Sequence, residues 1–157
     1  MSRVQLALNV SDLDEAVAFY SKLFATAPAK VRPGYANFAV ADPPLKLVLI
    51  EDPTQEPGSL NHLGVEVEST GEVALAQARL AAADLATAVE EQVECCYAVQ
   101  DKVWVDGPGG EPWEIYTVLG DAEMAPGELR SAEPGGAACC ASRPDLAVTP
   151  AGGGCCA

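Results

Sequence analysis

Apolar and polar residues alternate over "VQLALNV" at residues 4–10, as in a half-buried strand, and a helical pattern follows. In "SDLDEAVAFYSKLF" apolar side chains recur every three or four positions, at Leu13, Ala16, Val17, Tyr20, Leu23 and Phe24. Ser11 is the expected N-cap of this helix, with Asp14 three residues further on. "YANFAVAD" and "LKLVLIED" then predict two strands separated by a "DPP" turn.

The same order of elements is then repeated. "NHLGVEV" predicts a strand, and "STGEVALAQARLAAADL" predicts a helix with Ser69 and Glu72 at capping-box spacing. "TAVEEQVECC", "DKVWVD" and "EPWEIYTVL" predict three strands, with "DGPGG" as the hairpin turn between the last two. The pattern indicates an α+β protein with two βαβββ modules, residues 1–53 and 58–119, which share one curved mixed sheet.

Residues 121–157 have a different composition from the two modules. Ala, Gly and Pro dominate this segment, and no apolar period is sustained along it. We therefore expect a flexible C-terminal tail, which carries two pairs of cysteines at Cys139, Cys140, Cys155 and Cys156. These pairs either collect metalloid ions or take no part in turnover.

Charge and termini restrict the classes of partner. The formal net charge of −14 repels nucleic-acid phosphates and anionic lipid head groups, so neither a nucleic acid nor a membrane surface is expected as a partner. The first residues, "MSRVQLALNVSDLDEA", resemble neither a signal peptide nor a spanning helix, and a cytoplasmic location is expected. A reducing compartment favours thiols over disulfides for the six cysteines.

Three predicted strands present polar side chains to the face opposite the helices. The apolar alternation leaves Gln5 on this face in "VQLALNV", His62 in "NHLGVEV", and Glu114 between Trp113 and Ile115. Gln5 and His62 also occupy equivalent positions in the two repeats. If the sheet curves around a shared cavity, an amide, an imidazole and a carboxylate converge there.

This set of donors suits a divalent iron, manganese or nickel ion better than a closed four-ligand zinc site. "LKLVLI" is expected to bring Leu47 and Leu49 to the same face, which supplies no fourth ligand and leaves positions open for substrate and oxygen. Each residue also has a plainer interpretation. His62 suits a hydrogen-bonded core position, Glu114 a solvated edge and Gln5 an exposed strand end.

A third pair of cysteines, Cys95 and Cys96, lies inside the second module and is followed by Tyr97. Adjacent thiols either bind a soft atom or fill a loop as small apolar side chains. Tyr97 either lines a pocket or packs as a structural aromatic residue.

The paired modules, the strands "VQLALNV" and "NHLGVEV", and "DGPGGEPWEIY" resemble the vicinal oxygen chelate superfamily of glyoxalases, extradiol dioxygenases and bleomycin-resistance proteins. Within it, "CCYA" and the cysteine-rich tail resemble the ArsI carbon-arsenic lyases and the similar cadmium-induced proteins. The resemblance covers residues 1 to about 119.

This resemblance implies an iron(II)-dependent dioxygenase that cleaves the carbon-arsenic bond of trivalent organoarsenicals, with molecular oxygen as co-substrate and arsenite as product. It implies Gln5, His62 and Glu114 as catalytic metal ligands, and Cys95 and Cys96 as the thiols that hold arsenic. A flexible loop carrying the thiols is expected to load substrate and close over the metal. The alternatives are a protein that sequesters soft metals or metalloids without chemistry, and a glyoxalase or thiol-transferring resistance enzyme.

Overall fold

The structure of the chain is a computed structural model that describes residues 2–123. The four cysteines of the expected tail lie outside the described residues. The elements in chain order are β1 (Arg3–Val10), α1 (Leu13–Leu23), β2 (Lys30–Arg32), β3 (Tyr35–Val40), β4 (Leu45–Glu51), β5 (Leu60–Glu66), α2 (Thr70–Ala82), β6 (Thr87–Cys95), β7 (Ala98–Asp106) and β8 (Pro112–Asp121).

One eight-stranded mixed sheet joins the two predicted modules, in the order β2-β3-β4-β1-β5-β8-β7-β6. Within each module the first strand pairs in parallel with the last, β1 with β4 and β5 with β8. The two modules meet where β1 and β5 pair antiparallel at the centre of the sheet. The predicted fold class of two βαβββ modules on one curved mixed sheet is therefore confirmed.

The helices begin with side-chain caps, one of which differs from the prediction. Asp12 rather than Ser11 caps α1, and its carboxylate accepts a hydrogen bond of 2.8 Å from the Glu15 amide. The prediction of Ser11 was wrong because two adjacent residues are both good caps and the position of the first helical turn chooses between them. Ser69 caps α2 as predicted.

Each helix covers the outer face of its own module. Around α1 lies a core that includes Leu13, Phe38, Leu47 and Leu49, with Tyr20 and Phe24 packed against it, whereas Leu23 is exposed. Around α2 lies a second core built on Val73, Leu80 and Val103. These outer cores leave the opposite face of the sheet to line an interior.

The inner face of β4 differs from the prediction. Gln5 pairs with Lys46 in the β1–β4 ladder, and paired residues share a face, so Lys46 and Val48 face inward. Leu47 and Leu49, which were expected there, lie instead in the outer core under α1. The prediction was wrong because "LKLVLI" is almost wholly apolar, so its own pattern does not identify its inner face, and the register with β1 decides it.

In the stretch that the structure describes, neither helix has the length and apolar character needed to span a membrane.

Candidate functional site

Gln5, His62 and Glu114 meet on the inner face, close to the junction of the two modules. Gln5 lies opposite Gly64 in the β1–β5 pair, and Gly64 lies beside Glu114 in the β5–β8 pair. His62 lies opposite Ala7. Each long side chain on β1 or β5 thus faces a residue with little or no side chain, which gives the polar groups room to converge.

Gly64 makes this convergence possible. A Cβ atom at this position would lie 3.1 Å from Cγ of Glu114, 3.3 Å from Cβ of Gln5 and 3.3 Å from a ring carbon of Tyr116. These contacts are tighter than most that a side chain makes, so any larger residue would push the site apart.

The functional atoms of the three side chains lie within hydrogen-bonding distance of one another. Nε2 of Gln5 lies 3.0 Å from Nε2 of His62 and donates to Oε1 of Glu114 at 2.7 Å. Nε2 of His62 lies 3.3 Å from the same Glu114 oxygen. The three side chains are 3%, 6% and 2% exposed, so this cluster of polar groups is buried.

These separations fit a shared metal ion. Metal–ligand distances of about 2.1 Å place neighbouring ligands of an octahedral ion about 3 Å apart, close to the separations observed. Gln5 would present its amide oxygen after a half-turn of the amide. The Tyr116 hydroxyl, which donates to the Gln5 amide oxygen at 2.5 Å, could then accept a hydrogen bond from the amide nitrogen and still donate to Glu66 at 3.0 Å. The donor set consists of one imidazole, one carboxylate and one amide. Because one donor is an amide, this set differs from a site of three His, Cys, Asp or Glu side chains, and residues 2–123 contain no site of that second kind.

The orientation of the His62 ring also suits a ligand. Nδ1 of His62 lies 2.7 Å from Oδ1 of Asn61, and the Asn61 amide donates in turn to Asn9 at 2.8 Å. Since Asn61 offers an acceptor, the ring proton lies on Nδ1 and the lone pair of Nε2 faces Gln5 and Glu114. A fixed hydrogen bond on the far nitrogen is the usual support of a histidine ligand.

Glu114 is ionised and carries a buried partner of opposite charge. Burial by itself raises the pKa of Glu114, but the neighbouring Lys102 ammonium outweighs it and holds that pKa well below its ordinary value. Nζ of Lys102 donates to the second oxygen of Glu114 at 2.9 Å, and the Lys102 side chain is only 2% exposed. One carboxylate oxygen therefore faces the candidate ligands, and the other faces the lysine.

A second lysine lies on the opposite side of Gln5. Nζ of Lys46 lies 3.0 Å from the Tyr116 hydroxyl and 3.3 Å from Glu66. Burial lowers the pKa of Lys46, and the neighbouring carboxylate of Glu66 opposes this effect. Tyr116 thus joins Lys46, Glu66 and Gln5 in one hydrogen-bonded network, which holds the Gln5 side chain in the site.

The sulfur atoms of Cys95 and Cys96 lie beside this cluster. Their sulfur atoms are 3.2 Å apart, longer than the roughly 2.0 Å of a disulfide, so they are not bonded to each other. Cys95 and Cys96 line the same small cavity as the polar cluster, whose wall consists of Gln5, Tyr35, Lys46, Val48, His62, Cys95, Cys96, Gln100, Lys102 and Glu114. The structure therefore brings the two predicted groups of residues together.

The thiols are carried on a tight turn and not on the flexible loop that the sequence suggested. β6 ends at Cys95, which pairs with Ala98 at the start of β7, so only Cys96 and Tyr97 connect the strands. Both connecting residues have positive φ, 52° and 62°, as a two-residue hairpin of type I′ requires. The expectation of a loop was wrong because the usual signal for this turn, Asn-Gly, is absent.

Tyr97 packs against the first module and does not line the cavity. Its hydroxyl donates to the carbonyl of Pro33 at 2.9 Å, and its ring lies 5.5 Å from that of Tyr35. Of its two predicted roles, these contacts favour structural packing.

Sequence reasoning missed four residues of this site: Lys46, Gln100, Lys102 and Tyr116. A usable signal existed for Lys102, because the "DGPGG" hairpin turn aligns Lys102 with Tyr116 and Trp104 with Glu114. The other contacts depend on how distant strands pair.

Comparisons with known proteins place the chain in one superfamily. Residues 3–115 match the model of the glyoxalase/bleomycin resistance protein/dioxygenase superfamily. The chain is 59% identical over 143 residues to a trivalent organoarsenical cleaving enzyme of Thermomonospora curvata, covering 91% of each chain. It is 64% identical over 123 residues to the cadmium-induced protein CadI of Mycobacterium tuberculosis, covering 78% of this chain and 80% of that one.

Solved structures share the fold at low sequence identity. An extradiol ring-cleaving dioxygenase from B. fuscum superposes with a TM-score of 0.55 at 20% identity, over 81% of this chain and 37% of that one. A manganese-bound glyoxalase from Novosphingobium aromaticivorans gives 0.55 at 18% identity, over 80% and 44%.

Proposed function

The chain belongs to the glyoxalase/bleomycin resistance protein/dioxygenase superfamily, in the family of the trivalent organoarsenical cleaving enzymes, and on this premise we propose that it is an iron(II)-dependent dioxygenase cleaving the carbon-arsenic bond of trivalent organoarsenicals. Methylarsenite and reduced aromatic arsenicals are the proposed substrates, molecular oxygen the co-substrate and arsenite the inorganic product.

One observation carries this proposal: the thiol pair and the cluster of Gln5, His62 and Glu114 line a single cavity. A protein that only stored metalloid ions would need the thiols alone. A hard oxygen and nitrogen donor set beside soft sulfur donors suits two different occupants, a divalent metal ion and an arsenic atom.

Cys95 and Cys96 would bind and orient the substrate. Trivalent arsenic prefers sulfur to oxygen or nitrogen, and sulfur atoms 3.2 Å apart can both bind one arsenic atom. Because the turn is already formed, little further ordering is needed on binding. Double attachment restricts where the organic substituent can lie, which brings its carbon toward the polar cluster.

Gln5, His62 and Glu114 would hold the metal. Iron(II) at this position supplies the one-electron chemistry that reaction with molecular oxygen requires. Three protein ligands leave positions open, and the inward residue of β4 beside Ala7 is Val48, which offers no further donor. Lys102 keeps Glu114 ionised, and the buried surroundings exclude bulk water.

The decisive experiment is a single-turnover assay. Reduced protein is loaded with iron(II) without oxygen, mixed with methylarsenite and then exposed to oxygen, and arsenite is measured by chromatography. We expect arsenite only when iron and oxygen are both present. A protein that holds iron and binds methylarsenite, yet yields no oxygen-dependent arsenite, would contradict the proposal.

Sequestration of soft metals or metalloids is the second candidate, favoured by the 64% identity to a cadmium-induced protein. In that case Cys95→Ser would abolish cadmium binding, whereas His62→Ala would leave both the binding and the protective effect in cells unchanged. For the proposed lyase, His62→Ala still binds the arsenical but releases no arsenite.

A further inference from the structure

Gln100 has a buried amide oxygen without a partner. Gln100 lies on β7, is 5% exposed and lines the cavity. Its Oε1 is the buried side-chain oxygen or nitrogen that finds no hydrogen-bond partner among residues 2–123. Leaving a buried acceptor unpaired destabilises a fold, and most proteins avoid it, so an unpaired acceptor in a cavity wall indicates a ligand that supplies the donor.

The position of Gln100 along β7 narrows the choice of ligand. Alternate residues of a strand share a face, so Gln100 lies between Ala98, which pairs with Cys95, and Lys102, which binds Glu114. Along β7, the amide therefore lies between the position that pairs with Cys95 and the position that binds Glu114, and it shares one small cavity with both. An atom attached to thiol-bound arsenic would come within its reach.

Thiol-bound arsenicals differ in whether they carry such a donor. Methylarsenite, CH₃As(OH)₂, reacts with two thiols to give CH₃As(S-Cys)₂ and two waters, because two As–O and two S–H bonds are replaced by two As–S and two O–H bonds. Arsenite, As(OH)₃, reacts in the same way to give HO–As(S-Cys)₂ and two waters. Neither reaction changes an oxidation state. Only the second product keeps an As–OH group that can donate a hydrogen bond.

We propose that Gln100 is a binding residue that accepts a hydrogen bond from the As–OH group of arsenic held by Cys95 and Cys96. This inference rests on the proposed function, since it takes the two thiols as the arsenic ligands. Gln100 thus recognises the inorganic product, and also a substrate attached through one thiol, which still has one hydroxyl. It has no such bond to the fully thiol-bound methyl compound, so it favours arsenic that has lost its carbon.

The test compares two ligands that differ in one substituent on arsenic. The full-length chain, with its four tail cysteines replaced by serine and kept reduced without oxygen, is titrated with arsenite and with methylarsenite. Dissociation constants are measured by equilibrium dialysis with detection of arsenic. The variant is Gln100→Met, which is similar in length but has no strong acceptor. Gln77→Met, at an exposed position of α2, is the matched control.

We expect Gln100→Met to weaken arsenite binding about three- to tenfold, the usual effect of one hydrogen bond, and to leave methylarsenite binding within twofold. We also expect a higher unfolding midpoint for the ligand-free variant, because an unpaired buried acceptor has been removed. Gln77→Met should change neither dissociation constant.

Three results would overturn the inference: equal losses for both ligands, no loss for either, or a lower unfolding midpoint, which would indicate an ordinary structural hydrogen bond. Failure of the proposed function has a different signature. In that case the protein that keeps Gln100 binds neither arsenical through Cys95 and Cys96. Replacing both cysteines by serine then leaves the two dissociation constants unchanged.

Discussion

At the scale of single residues, the buried pair of Glu114 and Lys102 determines how the site can be tested. The ammonium and the carboxylate oxygen are 2.9 Å apart, and both side chains are almost fully buried. Removing one partner of such a pair leaves the other charge buried without compensation, at a cost of about 3–5 kcal/mol. Glu114→Ala would therefore confuse loss of a metal ligand with loss of the fold.

Glu114→Gln separates the two effects. The amide keeps a hydrogen-bond acceptor for Lys102 but lacks the negative charge of the carboxylate, so we expect this variant to fold with a lower unfolding midpoint and to lose stoichiometric iron after anaerobic dialysis. Iron content per chain and the urea unfolding midpoint measure the two outcomes. Glu91→Gln, at an exposed position of β6, is the control and should keep iron. Full iron occupancy in Glu114→Gln would remove Glu114 from the proposed ligands.

At the scale of elements, the turn between β6 and β7 combines strain with function. Cys96 and Tyr97 have φ of 52° and 62°, a region that costs a side-chain-bearing residue about 1–2 kcal/mol relative to glycine. Strain of this kind persists where other contacts hold it, and it concentrates at functional sites. Here the Tyr97 hydroxyl and ring hold the turn against the first module.

We expect Cys96→Gly to stabilise the protein by about 1 kcal/mol and at the same time to abolish tight methylarsenite binding. Urea unfolding under reducing conditions measures the first effect, and equilibrium dialysis measures the second. Gln92→Gly is a matched control, because Gln92 also has positive φ, 50°, but is exposed. It should show a similar gain in stability and unchanged arsenical affinity. Undiminished affinity in Cys96→Gly would count against Cys96 as a thiol ligand.

At the scale of the whole molecule, the end of β8 fastens the thiol turn to the first module. Lys30 of β2 forms an ion pair with Asp121 and donates to the carbonyl of Tyr97 at 3.2 Å. The amide of Ala122 donates to the same carbonyl at 3.1 Å. β8 thus extends to Asp121, two residues beyond the 119 expected from the sequence, and its last contacts hold the turn that carries Cys96.

Two truncations test this arrangement. Ending the chain after Glu123 removes only residues beyond the described part, and we expect iron binding and activity on methylarsenite to persist. Ending it after Gly120 also removes Asp121 and the Ala122 hydrogen bond, worth about 1 kcal/mol, so we expect lower stability and a higher KM for methylarsenite. KM and the unfolding midpoint are compared for the two proteins. If the protein that ends at Glu123 binds iron but has lost most of its activity on methylarsenite, the tail cysteines deliver substrate.

Much of this arrangement could be predicted, because it depends on local periods. Alternation placed Gln5, His62 and Glu114 on the inner faces of their strands, and helical spacing placed Tyr20 and Phe24 against the outer core. The same reasoning failed where a segment has almost no polar residues to contrast with its apolar ones, as in "LKLVLI". It also failed where two good N-cap residues are adjacent, as at residues 11 and 12. In both cases the choice belongs to contacts outside the segment.

The sequence by itself determined which elements form, in which order, and which side chains share a face within each strand, since these follow from interactions between residues a few positions apart. Only the tertiary structure decided that Lys102 pairs with Glu114, that Lys46 lies beside Gln5, and that Gln100 lines the same cavity as the two cysteines and the polar cluster. These contacts depend on strand register and on curvature of the sheet. Both are set by the combined packing of residues far apart in the chain, which no local pattern encodes.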